Sequence, residues 1–284
     1  MIVTIIYCSL TDNTIKTAEF IANNIPDVEK VNKVDFTMYL KLGLNPGQIS
    51  MIEEADILCV ASLAWCFTCP PWFTEAVRSL DSSIMQKPFY VVAGHGGGPG
   101  RQTKHLFNLM SRHGNTKCIG VFEIKGPSGY IPLNKKLSDY SRQIFNFPEE
   151  KCREFVEEMM ERLHNEDYSV PRMRPFYAPL TLFKAPFFQR TAVGPININV
   201  DECISCGKCA RLCVSGAIKM IKNEERGIKL PVYDRDLCVG CTRCLNVCPK
   251  DIIHGKHTDR VRWDFSNKDN HIVDPSNEET AYYE

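Results

Sequence analysis

The sequence predicts an α/β chain, with a doubly wound, five-stranded parallel sheet over residues 1–168 and a smaller cysteine-rich module over residues 198–256. Three observations predict it. Short apolar, β-branched runs alternate with stretches of helical period through the first half. Two copies of the pattern C-x2-C-x2-C-x3-C follow, the second repeating the first 35 residues later. Between these halves, residues 169–197 shift toward proline, aromatic and basic residues and read as a linker that packs between domains, while residues 257–284 read as a polar tail lying over the second module.

The elements of the first half follow in order. Ile2–Tyr7 is a β-branched apolar run, and Thr14–Asn24 places Ile15, Ala18, Phe20 and Ile21 at helical spacing. Val31–Phe36 offers a second strand. Ile57–Ser62 and Phe89–Gly94 are runs apolar enough for strands buried on both faces, each followed by turn residues and a helical pattern, Pro71–Leu80 and Gln102–Arg112. Cys118–Ile124 supplies a fifth strand and Glu149–Asn165 a long amphipathic helix. Strand and helix alternating in this way build βαβ units, whose sheets bind ligands beyond the carboxyl ends of their strands.

Three loops at those ends are therefore candidate sites. After the first strand, Ser9, Leu10, Thr11, Asp12, Asn13 and Thr14 lead into a helix, so hydroxyls and backbone amides at the positive end of its dipole are suited to cradle a phosphate without lysine or arginine. After the third come Ser62, Leu63, Ala64, Trp65, Cys66, Phe67, Thr68 and Cys69. After the fourth come His95, Gly96, Gly97 and Gly98, glycines that let the backbone approach a flat ligand. The late position of that loop, with no acidic residue at the proper distance, excludes a dinucleotide fingerprint. Cys66 and Cys69 form a C-x2-C pair that reads as two buried structural thiols, the surrounding fold being wrong for a thioredoxin motif.

The first loop resembles the phosphate loop of flavodoxins, S/T-x-T-G-x-T, with Asp12 in place of the glycine. Aspartate is one of the few residues other than glycine that tolerates a positive φ, and its carboxylate must then point away from the phosphate. The resemblance implies FMN, with Ser9, Thr11, Asn13 and Thr14 around its phosphate, and Ser62, Leu63, His95, Gly96, Gly97 and Gly98 around its ring system. It also implies Trp65 or Phe67 as the stacking aromatic. His95 meets either the flavin or only its own loop. Residues 126–148, with Tyr130 and no clear period, read as a long excursion over the flavin's edge.

Eight of the fourteen cysteines stand in the two repeats. Three thiolates two residues apart can wrap a loop around three corners of a cubane cluster, and the fourth, three residues on, points away to the other cluster. Structural zinc usually takes C-x2-C pairs across longer gaps, and disulfides suit secreted chains, which nothing here marks. The run resembles bacterial-type ferredoxins over residues 198–256, implying a small α+β dicluster domain. The implied ligands are Cys203, Cys206, Cys209 and Cys248 for one 4Fe-4S cluster and Cys238, Cys241, Cys244 and Cys213 for the second. One departure is local: Pro249 follows the last cysteine as that pattern expects, whereas Val214 stands at the equivalent place of the first run.

Both halves together resemble the fused flavodoxin-ferredoxin proteins of anaerobes, which implies an electron carrier moving electrons between FMN and two 4Fe-4S clusters, with redox-protein partners. The alternatives are an FMN-dependent reductase of a nitro compound, quinone or oxygen, and an oxygen-sensing regulatory protein. With 44% hydrophobic residues and 34 basic against 34 acidic side chains, the chain reads as globular and unbiased toward nucleic acid. The N-terminus lacks a basic region and cleavage site, and Ser62, Thr68 and two prolines interrupt the apolar stretch Ile57–Phe73. A reducing cytoplasm without membrane spans is expected, with surface contact by the basic aromatic linker as a lesser alternative.

Overall fold

The computed structural model describes residues 1–10, 12–96, 98–126, 147–173 and 185–258, leaving aside the side chains of 185–188. The expected excursion around Tyr130, the middle of the linker and the C-terminal tail lie largely or wholly outside these residues, as do Thr11 and Gly97.

Five strands, β1 (Ile2–Cys8), β2 (Lys30–Asp35), β3 (Ile57–Leu63), β4 (Phe89–His95) and β5 (Cys118–Lys125), form one sheet in the order β2-β1-β3-β4-β5, and every pair is parallel. This is the flavodoxin-like doubly wound order, whose switch point lies between β1 and β3. The sheet is covered on both faces, which is why β3 and β4 carry almost no polar residue. On one face α1 (Asn13–Asn23) and α6 (Glu149–His164) pack Ile15, Ala18, Ile21, Phe155 and Met159 against Val3, Ile5, Tyr90 and Val92.

The other face is built from Ile6, Val60, Val91 and Phe89 under Ile52, Phe73, Val77 and Leu106. These come from α3 (Pro46–Glu53), α4 (Pro71–Arg78) and α5 (Gln102–Met110), with a single turn, α2 (Tyr39–Leu42), beside them. The α3 helix starts in a capping box, Asn45 Oδ1 accepting from Gln48 N and Gln48 Oε1 accepting from Asn45 N, both at 3.0 Å.

The segment expected as linker contains a helix, α7 (Ala185–Val193). The cysteine-rich module then begins at β6 (Ile196–Ile198), which pairs antiparallel with β9 (Ile253–Gly255) and so joins the module's two ends. Within it lie α8 (Lys208–Arg211), the hairpin of β7 (Ile218–Lys222) and β8 (Lys229–Tyr233), and α9 (Arg243–Val247). Its own core is small: Val193, Ile196, Ala217, Ile218, Ile252, Ile253 and buried cysteines.

Candidate functional site

The carboxyl ends of β1, β3, β4 and β5 converge on one place. Ala64 N donates to Gly94 O at 2.6 Å, Arg101 N to Phe67 O at 2.7 Å, and Gly126 N to His95 O at 2.9 Å. A Cβ on Gly94 would collide with Thr14 Oγ1, and one on Gly126 would stand 2.9 Å from Asn13 Nδ2. The candidate residues Thr14, Asn13, Phe67, His95 and Leu63 are thus neighbours in space.

Local chemistry holds each loop. The Ser9 amide donates to Thr37 Oγ1 at 3.0 Å, and the same hydroxyl donates back to Ser9 O at 3.1 Å, fixing the exit of β1. Asp12 then takes φ 58°, the left-handed region anticipated for the residue in glycine's place, and its side chain makes no cap to α1. The N-terminus of α1 thus stands at the three-loop end uncapped by Asp12, and a helix N-terminus is the kind of end that suits an anion. Burial pushes the Asp12 carboxyl above its usual range, while Arg243 and Lys16 pull it back.

In the second loop, Trp65 N donates to Thr68 O at 2.8 Å and Thr68 N to Trp65 O at 3.2 Å, closing a two-residue turn. Its central residues, Cys66 at φ 50° and Phe67 at φ 63°, are both left-handed, the signature of a type I′ turn. Neither is glycine, so the tip is held at a cost of roughly 1–2 kcal/mol per residue. The turn separates the two candidate stacking aromatics. Trp65 is only 3% exposed and packs edge-on against Trp72 at 5.3 Å, inside the core, so its ring faces are not offered to a ligand. Phe67 sits half-buried at the tip.

Of the two thiols beside it, expected both to be buried, Cys66 is half-buried and only Cys69 is buried. Cys66 Sγ donates to Gln189 Oε1 at 2.9 Å, and burial pushes it up to about 12. Cys69 is buried and donates to Gln102 O at 3.8 Å. Ser62 is buried at the end of β3, where its carbonyl accepts from Gln102 Nε2.

In the cysteine-rich module the sequence duplication is a duplication of backbone. Left-handed residues recur at the same 35-residue offset: Ser205 with Gly240, Gly207 with Thr242, and Gly216 with Asp251. One member of each pair is glycine and the other is not. Within each repeat an amide two residues on bonds the first cysteine sulfur: Ser205 N to Cys203 Sγ at 3.4 Å and Gly240 N to Cys238 Sγ at 3.3 Å.

Two small cavities of about 20 Å³ each result. The first is lined by Cys203, Cys206, Cys209 and Cys248, the second by Cys213, Cys238, Cys241 and Cys244. Each cavity thus draws three cysteines from one run and one from the other, the crossed sets implied by the ferredoxin resemblance. Among the described residues no three His, Cys, Asp or Glu side chains converge closely enough for a single metal ion. Burial pushes Cys209 up to about 11 and Cys241 to about 12, so their thiolates need a bound metal, and an all-thiolate donor set suits iron–sulfur clusters.

The module docks on the N-terminal domain through the second cavity's side. Val214 is fully buried in that domain's core, with Val239 and Cys241 packed on it. Arg243, 4% exposed, donates from its guanidinium to Met38 Sδ at 3.5 Å. Gln189 of α7 links the halves: it accepts from Cys66 and donates to Gly240 O at 3.1 Å. On the first run's side, Lys41 Nζ donates to Ala210 O and Arg211 O, both at 3.1 Å. Sequence reasoning missed Arg243 and Gln189, since Arg243 fills a spacer position of the second cysteine run, Gln189 lies in the segment read as linker, and each acts on a loop distant along the chain.

Comparison with known proteins places residues 202–252 in the family described as 4Fe-4S dicluster domain. A ferredoxin of Methanocaldococcus jannaschii is 33% identical over 58 residues, 20% of this chain and 73% of the relative. The polyferredoxin MvhB of Methanothermus fervidus is 38% identical over 64 residues, 22% of this chain. The chain spans only 13% of that polyferredoxin and 12% of a Synechocystis protein named as a pyruvate-flavodoxin oxidoreductase. The two-electron reduced flavodoxin of Megasphaera elsdenii is similar over 56% of this chain and 98% of its own, at 18% identity and a TM-score of 0.39. Among the described residues no helix is long and apolar enough to cross a membrane. With crossed cysteine sets around two cavities and a match over two thirds of a ferredoxin's length, the chain belongs to the dicluster 4Fe-4S ferredoxins, carried behind a flavodoxin-like N-terminal domain.

Proposed function

We propose that the protein is an intramolecular electron carrier, with FMN at the strand ends of the N-terminal domain and two 4Fe-4S clusters on the crossed cysteine sets. The observation that carries this reading is the docking: the second cysteine cavity lies against the domain whose loops form the candidate flavin site, bridged to the β3 loop by Gln189. FMN exchanges electrons singly or in pairs, and each cluster moves one at a time.

The chain's own residues supply binding and placement. Ser9, Asn13 and Thr14, with Thr11, offer hydroxyls, an amide side chain and helix-terminal N–H groups to a phosphate. Lys16 and the buried Arg243 supply positive charge near Asp12, which these loops themselves lack. Phe67 at the turn tip is the aromatic that would cover a flat ring, and Gly96 and Gly98 follow β4 without a side chain to obstruct it. Cys203, Cys206, Cys209 and Cys248, and Cys238, Cys241, Cys244 and Cys213, hold the clusters.

In anaerobic protein carrying one FMN and about eight irons and eight sulfides, rapid mixing with a one-electron reductant should show flavin and clusters equilibrating at a rate independent of protein concentration. A rate proportional to concentration would mean transfer between molecules and would overturn the reading. Steady turnover of a quinone or nitro compound would instead favour the reductase.

A further inference from the structure

The duplication makes the two cluster sites chemically alike, yet their surroundings differ position by position. Ile204 is 54% exposed, while its counterpart Val239 packs on the N-terminal core. Cys206 is exposed, while Cys241 packs on that core. Lys208 is half-buried, while Arg243 is buried against Met38. After the fourth cysteine of each run the order reverses: Val214, which follows Cys213, is fully buried in that core, and Pro249 and Lys250, which follow Cys248, are exposed. Because the fourth cysteine crosses over, this reversal places Cys213 on the same docked side as Cys241.

Three hydrogen bonds, the last two joined through the backbone of Gly240, reach the docked set. Cys66 Sγ donates to Gln189 Oε1, Gln189 Nε2 donates to Gly240 O, and Gly240 N donates to Cys238 Sγ, at 2.9, 3.1 and 3.3 Å. No side chain intervenes, because a Cβ on Gly240 would stand 3.2 Å from Gln189 C and O and from Arg190 N. The helix backbone presses directly on the cysteine loop.

We infer that the two cluster sites have different jobs: the set of Cys213, Cys238, Cys241 and Cys244 is an inner site joined to the β3 loop through Gln189, and the set of Cys203, Cys206, Cys209 and Cys248 is an outer site where single electrons pass to and from external carriers. The inference rests on the proposed electron-carrier reading. Each external event is one electron lost by the outer cluster and one gained by the carrier, or the reverse, with no bond made or broken. Gln189 is a positioning residue.

The first test uses the cluster signals alone and so does not depend on flavin. In the reduced full-length protein, a soluble gadolinium chelate should enhance the electron paramagnetic relaxation of one cluster several-fold more than the other, and Cys206→Ser should alter the strongly relaxed signal while Cys241→Ser alters the protected one. Equal relaxation, or protection of the signal that Cys206→Ser alters, would overturn it. If those variants lose their clusters, Ile204→Glu, which replaces none of the eight cysteines, provides the second measurement. It should slow reduction by an anionic one-electron reductant several-fold and leave the flavin–cluster rate unchanged; an unchanged reduction rate would count against an outer site there. Gln189→Met keeps the side-chain volume and removes both bonds, and should slow flavin–cluster equilibration several-fold at an unchanged reduction rate of the outer cluster. An unchanged equilibration rate overturns the role of Gln189, whereas absence of FMN with the relaxation difference intact would fail the flavin reading alone.

Discussion

Asp12 carries a carboxylate where a phosphate is proposed to bind, and two properties of that residue act in opposite directions. Its left-handed φ of 58° suits aspartate or asparagine far better than alanine, which at such a position costs roughly 1–2 kcal/mol. Its charge, pushed toward the neutral form by burial, opposes an anion beside it. Asp12→Asn should therefore tighten FMN retention at neutral pH by about 1 kcal/mol or less, the gain being discounted for solvent screening, while Asp12→Ala should weaken it. The pH sign follows from the raised pKa. Below the ordinary carboxylate range folded and unfolded states are both protonated and the aspartate costs nothing. As pH rises from there through the folded value, the unfolded state ionises first and stability is lost. The advantage of Asp12→Asn should thus vanish in acid, which fluorescence titration of FMN against pH checks; tightening by neither variant would show that the carboxylate itself is needed. The left-handed residue was legible in the sequence, because a pattern that expects glycine marks the backbone conformation. Arg243 was not, because its charge reaches Asp12 only after the two halves dock.

At the scale of elements, strands β1, β3, β4 and β5 stood out as apolar runs because a parallel sheet buried on both faces permits little else. Helix α7 did not, because Pro186 and the prolines before it read as linker, although proline is well tolerated in a first helical turn. Trp65 and Phe67 read alike in the sequence as candidate stacking aromatics, and only the turn geometry separates their surroundings: alternation around a type I′ tip sends Trp65 inward to Trp72 and leaves Phe67 at the edge. How closely elements approach is equally invisible in sequence. The end of β4 touches the start of α1 at Gly94, where a methyl group would meet Thr14 Oγ1. Gly94→Ala should destabilise the N-terminal domain by about 1–3 kcal/mol, the usual range for overpacking, and should lower flavin content along with the melting temperature. A stable variant that retains its full flavin would mean that the contact between β4 and α1 does not set the shape of the phosphate loop.

The whole molecule depends on a residue that looks like an imperfection in its motif. Val214 stands where the ferredoxin pattern has proline, and the sequence offers only a local backbone consequence. In the fold it is the module's fully buried residue in the N-terminal core, beside Val239 and Cys241. An exposed position after the last cysteine can keep proline, as Pro249 does, whereas the docked position needs an apolar side chain that fills space in a second domain. Docking, in turn, is what the proposed relay needs: a linker alone raises the effective concentration of one module near the other, but only a fixed contact presents the same cysteine set to the β3 loop each time. Val214→Asp would place an unpaired charge in that contact without replacing any of the eight cysteines. Its iron, sulfide and FMN content should match the unmodified protein, showing both domains folded. Flavin–cluster equilibration should nevertheless slow strongly, and the inner cluster should gain sensitivity to the soluble gadolinium chelate that it lacks when docked. Unchanged transfer at full cofactor content would mean that electrons cross without this contact, and the order of the two clusters would then be set by the linker rather than by the packed face.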